Sequence, residues 1–195
     1  CMEGEMDYQS MFTFMLEMAG TIAFAASGAM VGAQRGMDIF GVCVLGVVTA
    51  VGGGATRDII LGIVPPGMFQ NPIYTIVATV TSCIVFAIMY WKQELLEGEN
   101  RMVYDKIMLV MDSVGLGVFT VMGVDKGITE GYMGRTFFLV FLGTVTGVGG
   151  GLIRDMMAGV PPYIFVKHIY ACASIVGAIV CVYTYRWFGV VFSLI

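Results

Sequence analysis

Charge is what this chain has least of. Only 12% of its 195 residues are charged, ten Lys or Arg against fourteen Asp or Glu, and it carries one histidine. No basic run is present, so nothing supplies the phosphate-neutralising surface that nucleic-acid binding needs. A single histidine and no CxxC pair exclude the usual metal-ligand spacings, and Cys43, Cys83, Cys172 and Cys181 lie in apolar runs, where they read as small packing residues. There is no Walker loop, Gly-x-Ser-x-Gly elbow or His-Glu-x-x-His pair. The expectation is a protein that is not an enzyme and has no resident metal or cofactor. The start of the chain is acidic (Glu3, Glu5, Asp7) and without a basic n-region, which predicts no cleaved signal peptide.

What is abundant is apolar surface: 58% of residues are hydrophobic and the mean hydropathy is +0.87. A soluble core of this length could not bury so much, so the chain is expected to be an integral membrane protein with the lipid bilayer as its first partner. Six segments approach the roughly 20 residues that span a bilayer: Met11 to Ala33, Ile39 to Gly62, Ile73 to Trp91, Ile107 to Val124, Thr136 to Val160 and Phe165 to Tyr185. A seventh begins at Trp187 and runs nine residues to Ile195. That is only about 14 Å of helix, so it reads as the truncated start of a further span.

Leu45-Gly-Val-Val-Thr-Ala-Val-Gly-Gly-Gly-Ala-Thr-Arg-Asp58 returns 97 residues later as Leu142-Gly-Thr-Val-Thr-Gly-Val-Gly-Gly-Gly-Leu-Ile-Arg-Asp155. At an offset of 95, Glu17, Gly20, Phe24 and Gly28 fall on Asp112, Gly115, Phe119 and Gly123. The chain thus divides into a three-helix unit over 11–91, a charged linker over 92–106, a second three-helix unit over 107–185, and the start of a seventh helix over 187–195. Three is odd, so the second unit enters the membrane from the opposite side. Inverted repeats of this kind place a central site where the two units meet. Apart from Arg57 and Arg154, five basic residues fall on one side (Arg35, Lys92, Arg101, Lys106, Lys167) and three on the other (Lys126, Arg135, Arg186). This bias puts the N-terminus outside.

Three glycines in a row cost a helix about 1 kcal/mol each relative to alanine, so Gly52, Gly53 and Gly54, and again Gly149, Gly150 and Gly151, are expected to break the second and fifth helices in mid-membrane. The freed carbonyls would suit a cation, and the freed N–H groups an anion. Close helix packing is the competing reading of the same glycines. Arg57-Asp58 and Arg154-Asp155 follow each triplet, as ion pairs that either touch the permeant species or clamp the helices. Each arginine is expected to be held by the opposite unit. Ser27, Thr49, Asp112, Ser113, Thr120 and Thr146, with Thr21 and Thr144, are candidate pore-lining polar groups, although a buried hydroxyl commonly satisfies its own helix instead. Glu17 and Asp112 are placed to gather cations at two mouths. Lys126 is a candidate gating charge, or a lysine snorkelling to the headgroups. His168 reads as interfacial.

Two tandem units with Gly-Gly-Gly-x-x-Arg-Asp, Gly and Pro-Pro, together with Phe24-Ala-Ala-Ser-Gly28 and Gly36-Met-Asp-Ile-Phe-Gly41, resemble the prokaryotic branch of the trimeric intracellular cation (TRIC) channel family. The resemblance implies an all-α homotrimer in the prokaryotic plasma (inner) membrane, seven spans per subunit, and a pore in each subunit beside the glycines of the second and fifth helices. The implied activity is passive monovalent cation flow preferring potassium, with K⁺ or Na⁺ as permeant ion and lipid as a possible ligand. The same unit is also described as a glycine transporter domain. A carrier of a small zwitterionic amino acid is therefore the alternative, and a structural scaffold a third.

Overall fold

The structure, a computed structural model of the chain, describes residues 2–91, 100–166 and 168–188. Described residues form helices α1 (Met2–Gln34), α2 (Ile39–Leu61), α3 (Gly67–Gln70), α4 (Ile73–Trp91), α5 (Asn100–Gly127), α6 (Thr136–Met157), α7 (Tyr163–Val166) and α8 (His168–Phe188). A π-helical turn, Ile128–Tyr132, ends α5. Five of these helices are long and apolar enough to cross a membrane, and a shorter apolar helix spans Ala171–Trp187. Their outer faces carry bare hydrophobic side chains such as Ile84, Phe137, Val176 and Trp187, as lipid-facing surfaces do.

Two boundaries differ from the sequence expectation. Helix α5 already includes residues 100–106 of the supposed linker, while residues 92–99 lie outside the described residues. Helix α8 continues through Arg186 to Phe188, with no Gly or Pro there to end it, and the Arg186 side chain donates to the Met133 carbonyl and the Thr136 hydroxyl. Trp187 and Phe188 therefore extend the sixth span. The remainder of the expected seventh helix, 189–195, and Lys167 lie outside the described residues.

Local chemistry sets the matching ends of α2 and α6. Asp38 caps α2, its side chain accepting from the Gly41 N–H at 2.8 Å. Gly62 (φ 74°) and Gly159 (φ 65°), 97 residues apart, take the left-handed conformation that lets the chain leave each helix. Ile63 and Val160 then return their N–H groups to the carbonyls of Asp58 and Asp155, at 2.8 and 3.0 Å.

Equivalent helices cross in opposite directions. Along α1, Gly20, Phe24, Ser27 and Met30 meet Val118, Gly115, Asp112 and Tyr104 of α5, so rising numbers pair with falling ones. On α2 and α6, Thr49 meets Gly150 while Gly53 meets Thr146. These four helices make the centre of the molecule, with α4 packed on the α1–α2 side and α8 on the α5–α6 side.

The glycine triplets do not break their helices. Both α2 and α6 are continuous α-helix through Gly52–Gly54 and Gly149–Gly151. The expected unwinding fails because glycine's helix penalty reflects a backbone that water can solvate. In an apolar interior each released N–H or C=O would cost several kcal/mol (about 2–7 by transfer data), more than the glycines lose by staying helical. What the triplets provide is proximity. A Cβ on Gly53 would collide with the Thr146 carbonyl oxygen, and a Cβ on Gly150 with that of Thr49. The missing side chains bring the two backbones into contact at the crossing.

Candidate functional site

The Arg-Asp pairs explain the rest of the repeated motif. Asp58 accepts Arg57 through Oδ1, with Nε at 2.9 Å and Nη2 at 2.8 Å, and accepts the Gly67 N–H through Oδ2 at 2.7 Å. Asp155 does the same, taking Arg154 Nε at 2.8 Å on Oδ1 and the Tyr163 N–H at 2.8 Å on Oδ2. Each aspartate therefore pins the start of a short helix, α3 or α7, back onto the long helix it follows. The Gly and Pro-Pro of the motif shape the turn that makes this return possible.

The arginines then part company. Arg154 is sealed in the bundle at 2% exposure, with Nη1 donating to Asp112 Oδ1 at 2.5 Å and to Ser27 Oγ at 2.5 Å. Ser27 in turn donates to Asp112 Oδ1 at 3.2 Å. Arg57 stays with Asp58 and lines a cavity of about 330 Å³. Glu17, Thr21, Asp58, Tyr74, Phe119 and Lys126 share that wall. The equivalent positions differ: Ser27 corresponds to Met122, which offers no comparable acceptor, and Asp112 to Glu17, which accepts from the Tyr74 hydroxyl through Oε2 and lines the cavity. Opposite-unit holding of both arginines is thus not what the structure shows. The carboxylates come from the arginine's own unit, and among the described residues the Ser27 hydroxyl crosses over to Arg154.

A single stripe links cavity to cluster. Glu17, Thr21, Phe24 and Ser27 recur every three to four residues on α1 and so share one face over about 15 Å. Glu17 and Thr21 line the cavity, whose far wall includes Phe119. The Phe119 ring packs on that of Phe24 at 5.2 Å between centroids. Phe24 is buried against Gly115 and Gly150. One turn beyond it lie Ser27, Asp112 and Arg154. The sequence pairs Phe24 with Phe119 only as repeat equivalents; the tilted contact of the two rings comes from the crossing of α1 and α5 and has no signal in the sequence. Tyr74 and Tyr163 were also missed as site residues.

Other candidates are placed differently. Thr49 and Thr146 are fully buried, each hydroxyl donating to its own helix at the Leu45 or Leu142 carbonyl (2.6 Å) while packing on Gly28 or Gly123. Thr144 likewise bonds Val140. As pore-lining groups these threonines are superseded by that role, because a hydroxyl in an apolar helix takes the nearest i−4 carbonyl. Thr120 is buried against Ser174 at 2.7 Å, and with Ser113 it lines a separate, mostly apolar cavity of about 510 Å³ between α5 and α8. Lys126 sits at the polar cavity's rim, paired with Glu130 at 2.8 Å. Gly52 and Gly149 pack at the α2–α6 crossing, and Gly54 borders the cavity beside Arg57; Gly151 is buried.

Comparison with known proteins gives a consistent result. The family model described as Glycine transporter matches residues 14–90 and again 109–186. The UPF0126 inner membrane protein YadS of Escherichia coli (strain K12) is 40% identical over 181 residues, covering 92% of this chain and 82% of the relative. The UPF0126 membrane protein YvgT of Bacillus subtilis (strain 168) is 34% identical over 181 residues, covering 92% and 83%. Among solved structures, a crystal structure of a prokaryotic TRIC channel in 0.5 M KCl superposes with a TM-score of 0.83 at 31% identity, covering 92% of this chain and 86% of that one. The TRIC trimeric intracellular cation channel orthologue from Rhodobacter sphaeroides gives 0.81 at 30% identity, covering 93% and 89%.

Proposed function

This chain belongs to the prokaryotic branch of the trimeric intracellular cation channel family, and from that premise we propose that it is a passive channel for monovalent cations, preferring potassium, with one path through each subunit. The observation that carries the reading is the α1 stripe, which runs from a polar cavity at Glu17 to a buried ionic cluster at Ser27 along the seam between the two units. The cavity is the vestibule. Glu17, Thr21 and the Tyr74 hydroxyl supply oxygen to a partly hydrated cation, while the basic groups there are neutralised by partners, Arg57 by Asp58 and Lys126 by Glu130. The packed rings of Phe24 and Phe119, followed by Arg154, close the route. A guanidinium in the path repels cations until it moves, and Asp112, Asp155 and Ser27 hold it there. In this closed arrangement the continuous α2 and α6 act as rigid walls.

The two matched segments support the division into two three-helix units. We place the chain in a prokaryotic inner membrane as a homotrimer, with its N-terminus outside, and expect potassium or sodium as permeant ion with lipid around it. The alternative, a glycine carrier, is supported by the family's description. It is disfavoured by the vestibule's chemistry, because both basic groups that would take a substrate carboxylate are already paired. Proteoliposomes loaded in turn with potassium, sodium and glycine separate the readings: passive, potassium-favouring cation flux is expected, whereas saturable glycine uptake without it overturns the channel.

A further inference from the structure

The sequence offered no pairing signal for the cysteines, yet Cys43 of α2 and Cys83 of α4 place their sulfurs 3.4 Å apart. The contact follows from how these helices pack. They run antiparallel, and Gly46, one turn beyond Cys43, has no Cβ, which would collide with Ser82 Oγ and lie 3.1 Å from the Ala25 carbonyl. Both thiols are half-buried in an apolar groove with Phe40, Val44 and Thr79, away from the vestibule. Cys43 is four residues into α2, about 6 Å from its start, within reach of a small uncharged oxidant that enters from the membrane surface.

We propose that Cys43 and Cys83 are a reversible oxidation site, at which a peroxide joins them into a disulfide that staples α2 to α4. One thiol, as thiolate, attacks a peroxide oxygen, breaking the O–O bond and releasing water as it becomes a sulfenic acid. The proton given up by the first thiol converts the expelled hydroxide to that water; the second sulfur then displaces the sulfenic hydroxyl, which leaves as water with the second thiol's proton, so two thiols lose two electrons and hydrogen peroxide is reduced to two waters. Helix α2 carries Gly53 to the central crossing and Arg57 to the vestibule, so the staple restrains movement of the helix that shapes both. This consequence for flux rests on the channel reading; the bridge itself does not.

The full chain in liposomes is treated with hydrogen peroxide, digested without reductant and mapped by mass, with potassium flux recorded alongside. A peptide pair linked through Cys43 and Cys83, at least a threefold fall in flux, recovery with dithiothreitol, and no peroxide response in Cys83→Ser are expected. Free thiols at both positions after treatment, or separate sulfinic acids, overturn the bridge; a bridge with unchanged flux overturns the restraint. If untreated liposomes pass no potassium, the channel reading falls while the peptide masses still decide the bridge.

Discussion

Arg57 and Arg154 occupy equivalent positions on equivalent helices, yet one borders a cavity and the other is locked in the protein interior. The motif around them is the same, down to the aspartate that holds the following short helix. The difference comes from other helices: Ser27 against Met122, and Asp112 against a Glu17 already engaged by Tyr74. A duplicated motif thus fixes a scaffold, and the unduplicated neighbours decide which half is open.

The largest effect separating the halves is expected at the carboxylates. Asp112→Ala strips the buried guanidinium of a partner and should destabilise the protein by about 3–5 kcal/mol, whereas Glu17→Ala, which removes the Tyr74 hydroxyl's acceptor at the cavity wall, should cost about 1.5–3 kcal/mol. Denaturant unfolding in detergent reads both, and equal losses would erase the distinction. Next comes Ser27→Ala, which removes a hydrogen bond to a charged group and should cost about 1.5–3 kcal/mol. Thr21→Ala, which trims a side chain only 1% exposed at the cavity wall, should cost about 0.5–1.5 kcal/mol by the same measurement.

The glycine triplets allow a sharper contrast. Gly53→Ala and Gly150→Ala each force a methyl onto a carbonyl of the opposing helix and should lose about 1–3 kcal/mol. Gly54→Ala meets only the Arg57 Nη2 at 3.9 Å and should gain up to about 1 kcal/mol of helix propensity. Broken helices would erase this contrast, since alanine would then disturb all three positions. The smallest effect is at Lys126→Gln, where a half-exposed ion pair is lost: under about 0.5 kcal/mol in stability, and a flux change that disappears in high salt.

The repeat, the spans and the membrane setting were legible because apolar length and duplicated residues are properties of the sequence itself. The state of the triplets was not, since glycine's effect depends on whether water or a neighbouring backbone meets it, and here the Thr49 and Thr146 carbonyls do. The burial of Arg154 was hidden for a related reason: it is held by Ser27 of α1 and Asp112 of α5, 127 and 42 residues away. Cys43 and Cys83 show the same limit, their contact being set by Gly46 rather than by any spacing between them.

On the proposed reading, this bundle conducts potassium along the α1 stripe and is closed by Phe24 and the Arg154 cluster. Single-molecule recording of the purified protein and of Phe24→Ala in planar bilayers tests it most directly. Discrete currents reversing near the potassium equilibrium potential, with a higher open probability in Phe24→Ala, are the predicted result; saturable glycine transport without unitary currents in either protein would contradict it.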